Sequence, residues 1–150
     1  MTKVTIKNNT YKIRKINESD YYKNYLHVLS QLSSIEPDKI SFSDFCNFLN
    51  TNNSEIIVIE NITDNNIIGS ITILKENKLI HNLGTVSHIE DFVIDEKHRK
   101  LGLGKLLLNK AIELSQDCYK IILDCSEKNI EYYKKFEFIQ KEYQMARYLI

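Results

Sequence analysis

The residues best placed to do chemistry fall into separate stretches of this chain. The first is His98-Arg99-Lys100-Leu101-Gly102-Leu103-Gly104-Lys105, where a charged loop runs into an apolar-periodic segment. Glycine lets the backbone approach a ligand closely and adopt positive φ. The first amides of a helix have no partner within it, and the helix dipole makes that end positive. A diphosphate can bind such a turn, here with Lys97, Arg99, Lys100 and Lys105 around it. Taken locally, the glycine pair reads equally well as a tight loop with a solvated basic face. The spacing is not that of a Walker loop, and the third glycine of a dinucleotide fingerprint is missing.

The second stretch is an acidic pair, Glu90-Asp91, with Asp124 further on. An alkylammonium must lose a proton before its nitrogen can attack, which calls for a carboxylate or a relayed water. Neighbouring residues of a strand point to opposite faces, so only one of the pair is expected to face a given cleft. The plain alternative for all three is a surface carboxylate or a cap. The third is Tyr132-Tyr133. A phenol, with a reference pKa of about 10, can hydrogen-bond or protonate a departing anion. It can equally be core packing.

The surrounding elements follow from periodicity. Thr10–Ile16 reads as a first strand, and Asn17–Asp20 offers caps for a helix carrying Tyr22, Tyr25 or Leu26, Leu29 and Leu32. After a loop at Ser33–Asp38, Ser41–Asn50 reads as a second helix. Glu55–Ile62 and Ile67–Lys75 form a hairpin about the turn Thr63–Asn66. Thr85–Ile94 is the next strand, and Leu103–Gln116 is a helix with Leu103, Leu107, Ala111 and Leu114 on one stripe. Tyr119–Cys125 reads as a strand buried on both faces, Lys128–Lys135 as a short helix and Phe138–Leu149 as a final strand. This order implies an α/β (α+β) domain spanning residues 1–150, a mixed sheet flanked by helices.

Composition narrows the function. With 20 basic and 20 acidic residues the formal net charge is zero, which argues against a nucleic-acid binder held by a general positive field. A local basic patch for RNA would lack interleaved aromatics. No apolar run is long enough for a membrane span and the N-terminal stretch does not resemble a signal peptide, so a cytoplasmic protein is expected. Cys46, Cys118 and Cys125 lack CxxC spacing and the four histidines lack helical ligand spacing, so no metal is expected and the thiols should be reduced and mostly packed.

Three motifs together resemble the glucosamine 6-phosphate N-acetyltransferases of the GNAT superfamily. Arg99–Gly104 fits the RxxGxG loop that holds the CoA diphosphate in that superfamily. His88-Ile89-Glu90-Asp91-Phe92-Val93-Ile94 is similar to the HIED-V-V strand of these enzymes. Cys118–Asn129 is similar to their CYKIILDC-x-EKN segment. The dense likeness covers about residues 78–138, with Gln31-Leu32-Ser33 as its N-terminal landmark. Two positions depart from the family pattern: Lys100 and Glu137 stand where glycine is common.

The resemblance implies a GNAT fold, with a mostly antiparallel sheet. It implies acetyl-CoA as co-substrate, glucosamine 6-phosphate as acceptor and direct attack in a ternary complex, feeding UDP-N-acetylglucosamine synthesis. It places Glu90 and Asp124 at the amine, Asp91 on a sugar hydroxyl and Tyr133 beside the thioester sulfur. CoA contacts are implied for Phe92, Val93, Ile94, Arg99, Lys100, Leu101, Gly102, Leu103, Gly104, Lys105, Asn129 and Tyr133. Substrate contacts are implied for Ser33, Lys78, Leu79, Ile80, His81, His88, Tyr119, Lys120 and Arg147, the cations among them serving the phosphate. A homodimer is implied as well. Acetylation of another amine (a peptide, a polyamine or a small molecule) keeps the fold and changes the acceptor. An acetyl-CoA sensor without catalysis is the non-enzyme alternative.

Overall fold

A computed structural model describes residues 2–150. Six strands form one sheet in the order β1 to β6: β1 (Thr2–Ile6), β2 (Asn9–Lys15), β3 (Glu55–Asn61), β4 (Asn66–Asn77), β5 (Thr85–Ile94) and β6 (Lys120–Ile122). Every neighbouring pair is antiparallel except β5 and β6, which run parallel. This is the mixed, mostly antiparallel sheet expected. The β1–β2 hairpin extends the sheet by one strand beyond the sequence reading, which began at Thr10. Its turn residues Lys7 and Asn8 both have positive φ, as a two-residue hairpin of this hand requires.

β3 is buried on both faces because its aliphatic residues alternate between two cores. Ile57 and Ile59 join Ile71, Ile73 and Ile89 beneath Leu103, Leu107, Leu108 and Ala111 of α4 (Leu103–Leu114). Ile56 and Val58 face Tyr25 and Leu26 of α1 (Tyr25–Ser30) and Phe45 of α2 (Phe42–Thr51). Helices thus cover both faces. α3 (Ile80–Leu83) is a single distorted turn, and α5 (Ile130–Lys134) packs Tyr132 and Tyr133 onto the α4 side.

Capping boxes set two helical starts: Asn17 with Asp20, and Ser41 with Asp44. Asp20 also anchors an ion cluster. The Arg14 guanidinium donates to both Asp20 oxygens, at 2.8 and 2.7 Å, and to Glu60 at 2.9 Å. Lys23 adds a 2.6 Å contact to Glu60, so the cluster ties the entry to α1 onto β2 and β3.

Two expectations fail. Phe138 packs on the core, but no residue from 138 to 150 is in a strand. Tyr143, Met145, Tyr148 and Leu149 are all more than four-fifths exposed. A β-prone segment needs a partner edge, and none within the chain pairs with this one. The expected strand Tyr119–Cys125 shrinks to Lys120–Ile122 and lies at the sheet edge, half-buried rather than buried on both faces. No described helix is long and apolar enough to cross a membrane.

Candidate active site

β5 is the spine of the site. Its pairing with β4 runs from Asn77 opposite Thr85 to Gly69 opposite Ile94, with a register shift between Ser70 and Thr72. Thr72 faces Glu90 and Ser70 faces Val93, so two β5 residues, Asp91 and Phe92, oppose Ile71 alone. This is a β-bulge, and Asp91 sits in it with φ +47. The expectation that Glu90 and Asp91 point to opposite faces rests on strict alternation, which this bulge interrupts. Both carboxylates are exposed.

The pairing of β5 with β6 covers only Val86, Ser87 and His88. From Ile89 onward the outer edge of β5 has no strand beside it among the described residues. Phe92, Val93 and Ile94 therefore lie on a stretch whose backbone can accept an extended ligand as an added strand. Asp124 follows just after β6, where the two strands part. The Glu90 carboxyl is pushed above the ordinary range by burial first, then by the charges of Asp124 and Asp91, with His88 opposing. Asp124 thus joins the adjacent pair Glu90-Asp91 in one field.

Beyond β5, Asp95 is almost fully buried and accepts from Gln31 at 3.2 Å and from the Lys97 amide at 3.3 Å. Gln31 in turn accepts from the Glu96 amide at 3.0 Å, so the end of α1 pins the start of the loop. This is a structural use of Gln31 that the sequence marked only as a landmark. Arg99 Nε donates to the Ile94 carbonyl at 3.0 Å. Lys100 takes φ +65 and Gly102 φ +78, so Lys100 adopts the left-handed conformation that a glycine would take freely. A Cβ at Gly104 would come 3.3 Å from Tyr132 Oη and 3.5 Å from Phe92 Cζ, so this glycine keeps the helix start close to β5 and α5. With the unpaired first-turn amides of α4 and the exposed Lys100 and Lys105, the loop fits a diphosphate.

Tyr133 is half-buried, edge-on to Tyr132 at 5.3 Å and to Phe138 at 6.0 Å. Burial, with smaller contributions from Cys125 and Tyr132, pushes its phenol up to about 12. It therefore holds its proton at neutral pH. Tyr132 also packs on this core, so packing alone does not separate the two tyrosines. Asn129 closes the 3-10 turn before α5, where its amide donates to Ser126 at 2.9 Å. Cys125, expected to pack, is exposed, whereas Cys46 and Cys118 are partly covered.

The cations expected at a phosphate are only partly assembled. Lys78 Nζ and His88 Nε2 both bond Glu76, the latter at 2.8 Å, so one carboxylate links the end of β4 to β5. Glu76 carried no signal in the sequence, because its role depends on the β4–β5 register. His81 stacks on Tyr119 at 4.1 Å, and Lys120 Nζ lies 6.0 Å from the same ring. His81, Asn82 and Leu83 all have positive φ, so this turn is strained. A Cβ at Gly84 would come 2.6 Å from Tyr119, which shows how closely the turn is held to β6. Leu79 and Ile80 project outward at 87% and 63% exposure, beside an open cleft of about 450 Å³ lined by Asn77, Lys78, Leu79 and Leu83. A larger groove of about 870 Å³ opens on β1–β3 and contains none of the expected site residues. Ser33 is exposed just after α1. Arg147 lies in the exposed C-terminal segment, and the structure does not bring it to the other cations.

Comparisons agree with this geometry. The model of the acetyltransferase (GNAT) family matches residues 11–138. The chain is similar to glucosamine 6-phosphate N-acetyltransferase 1 of Dictyostelium discoideum, at 35% identity over 91% of this chain and 89% of the relative. It is similar to the glucosamine 6-phosphate N-acetyltransferase of Arabidopsis thaliana, at 34% identity over 93% and 97% of the two chains. The crystal structure of glucosamine-6-phosphate N-acetyltransferase from Arabidopsis thaliana superposes with a TM-score of 0.87, covering 93% of this chain and 99% of that one at 32% identity.

Proposed function

The chain belongs to the acetyltransferase (GNAT) family, in its glucosamine 6-phosphate N-acetyltransferase group, and from that premise we propose that it acetylates the amine of glucosamine 6-phosphate with acetyl-CoA. The product, N-acetylglucosamine 6-phosphate, would supply UDP-N-acetylglucosamine synthesis. The observation that carries this reading is the free edge of β5 beyond His88. It starts beside Lys78 and His88, passes the three carboxylates and ends at the glycine loop before α4.

In this reading the loop Arg99–Lys105 and Asn129 hold the CoA end, and Phe92 to Ile94 pair with its pantetheine arm. Glu90 and Asp124 orient the ammonium and take its proton, and Asp91 holds a sugar hydroxyl. The raised Glu90 pKa suits a base that must bind a proton in passing. As nitrogen bonds to the acetyl carbon, backbone N–H groups of Phe92–Ile94 offer hydrogen bonds to the carbonyl oxygen where charge develops. The carbon–sulfur bond breaks, Tyr133 gives its proton to the leaving thiolate, and the nitrogen's second proton passes to solvent, from which Tyr133 is reprotonated. Ser33, the turn Lys78–His81, His88, Tyr119, Lys120 and Arg147 surround the sugar phosphate.

The C-terminal segment supports a homodimer. Tyr143, Met145, Tyr148 and Leu149 there are exposed, as are Leu79, Ile80 and Leu83, and exposed apolar residues of this number suit a partner surface. A partner copy would also bring Arg147 near a phosphate site that is incomplete within one chain. The cytoplasm is the proposed location. Mass spectrometry of products from acetyl-CoA and a panel of amines tests the reading. The expected product is the N-acetylated sugar phosphate; acetylation of a peptide or polyamine instead would overturn it.

A further inference from the structure

We propose that Glu76 is a positioning residue for substrate recognition, holding Lys78 and His88 as a preformed pair for the sugar's phosphate; this rests on the acceptor proposed above. Glu76 lies near the end of β4, across from Val86 and two residue pairs from the Leu74–His88 step, so it and His88 are diagonal neighbours across the strands. Its two oxygens are divided: Oε1 takes Lys78 Nζ and Oε2 takes His88 Nε2 at 2.8 Å. Lys78 stands just past the end of β4, where its amide donates to the Gly84 carbonyl at 2.8 Å, so its backbone is fixed too.

The cluster is poorly placed to serve stability. Glu76 is 44% exposed, Lys78 33% and His88 24%, and ion pairs of that exposure add little to folding. What the bridge does is remove rotamer freedom from a long side chain before a ligand arrives. Lys78 keeps two N–H donors beyond the one given to Glu76, and His88 keeps its Nδ1. Both partners draw the Glu76 carboxyl below its ordinary range, Lys78 more than His88, so it stays ionised. A carboxylate near a phosphate also repels it. The two effects have opposite signs in substrate binding, and that makes the proposal decidable. Solvent screens the repulsion at an exposed site, whereas ordering two donors acts at contact.

The test compares wild type with Glu76→Gln and Glu76→Asp, using glucosamine 6-phosphate and unphosphorylated glucosamine, with melting midpoints alongside. Glutamine keeps the shape but can accept only at one atom, so it cannot hold both donors. KM for the phosphorylated sugar is expected to rise about tenfold in Glu76→Gln. Turnover at saturation, KM for acetyl-CoA and the kinetics with unphosphorylated glucosamine should stay near wild type. Glu76→Asp, which keeps both oxygens, should recover part of the loss. An unchanged or lower KM for the phosphorylated sugar would overturn the proposal and make Glu76 a neutral or competing anion. Equal losses with both sugars would overturn it in favour of general structural damage. Wild type without activity on glucosamine 6-phosphate would sink the acceptor assignment itself, and this proposal with it, a result distinct from the others.

Discussion

Two charge clusters occupy opposite ends of this sheet, one of cations and carboxylates in balance and one of carboxylates alone. At the β2–β3 end, Arg14, Asp20, Glu60 and Lys23 saturate one another, and Asp20 is wholly buried. Burial pushes Glu60 up, yet Lys23 and Arg14 together hold it below its ordinary range. At the β4–β6 end, Glu90, Asp91 and Asp124 share a field without hydrogen-bonded cations among the described residues, and Glu90 moves the other way. A closed network holds a fold, while an open one leaves charge available to a substrate. The cations Arg14 and Lys23 and the burial of Asp20 set the first cluster apart from the second.

Breaking the closed cluster should give the largest change. Arg14→Met leaves Asp20 buried and unpaired, at a cost of about 3–5 kcal/mol. The melting midpoint should fall by roughly 6–20 °C, with turnover per folded molecule preserved. Calorimetry with an active-site titration separates the two quantities. The opposite pattern is expected from Tyr133→Phe. Turnover should drop about 100-fold with little change in CoA affinity, as loss of a positioned proton donor does. Unchanged turnover would remove the tyrosine from the reaction.

Asp124→Asn sharpens the comparison within the open cluster. The acid limb of kcat/KM reports a base that must be deprotonated, and Glu90 is raised partly by Asp124. Removing that charge should lower the Glu90 pKa and move the limb to lower pH. The substrate's own titration is the same for both enzymes, so the displacement belongs to the protein. A limb that stays in place would separate Glu90 from the reaction. The smallest effect is expected at Lys100, held at φ +65. Lys100→Gly relieves left-handed strain of about 1–2 kcal/mol and loses about 0.5–1 to unfolded-chain entropy. The net gain of about 0–1.5 kcal/mol should raise the melting midpoint by up to roughly 6 °C; a fall would mean that the lysine side chain makes compensating contacts.

Much of the fold was legible because its signals are local. Thr85–Ile94 is found with its expected bounds, and the α4 stripe Leu103, Leu107, Ala111 faces the core. The departures have physical causes. β1 is mostly exposed, so hydrophobic alternation did not mark it. The segment after Phe138 carries a strand-like pattern but pairs with no strand among the described residues. The Asp91 bulge depends on a register between two strands, and Glu76 on which residues that register opposes. The Arg99–Lys105 loop could be read because its glycines and cations are contiguous. Lys78 and His88 could be named one by one, but their shared partner Glu76 could not.

The central claim is that the free β5 edge lies between a phosphate-recognising end and a CoA-binding end. The most direct test follows thiol release from acetyl-CoA with glucosamine 6-phosphate and with unphosphorylated glucosamine. The account expects kcat/KM at least about 100-fold higher for the phosphorylated sugar, the range in which removing charge-assisted contacts acts. Equal rates with the two sugars, or none with either from protein that binds CoA, would contradict it.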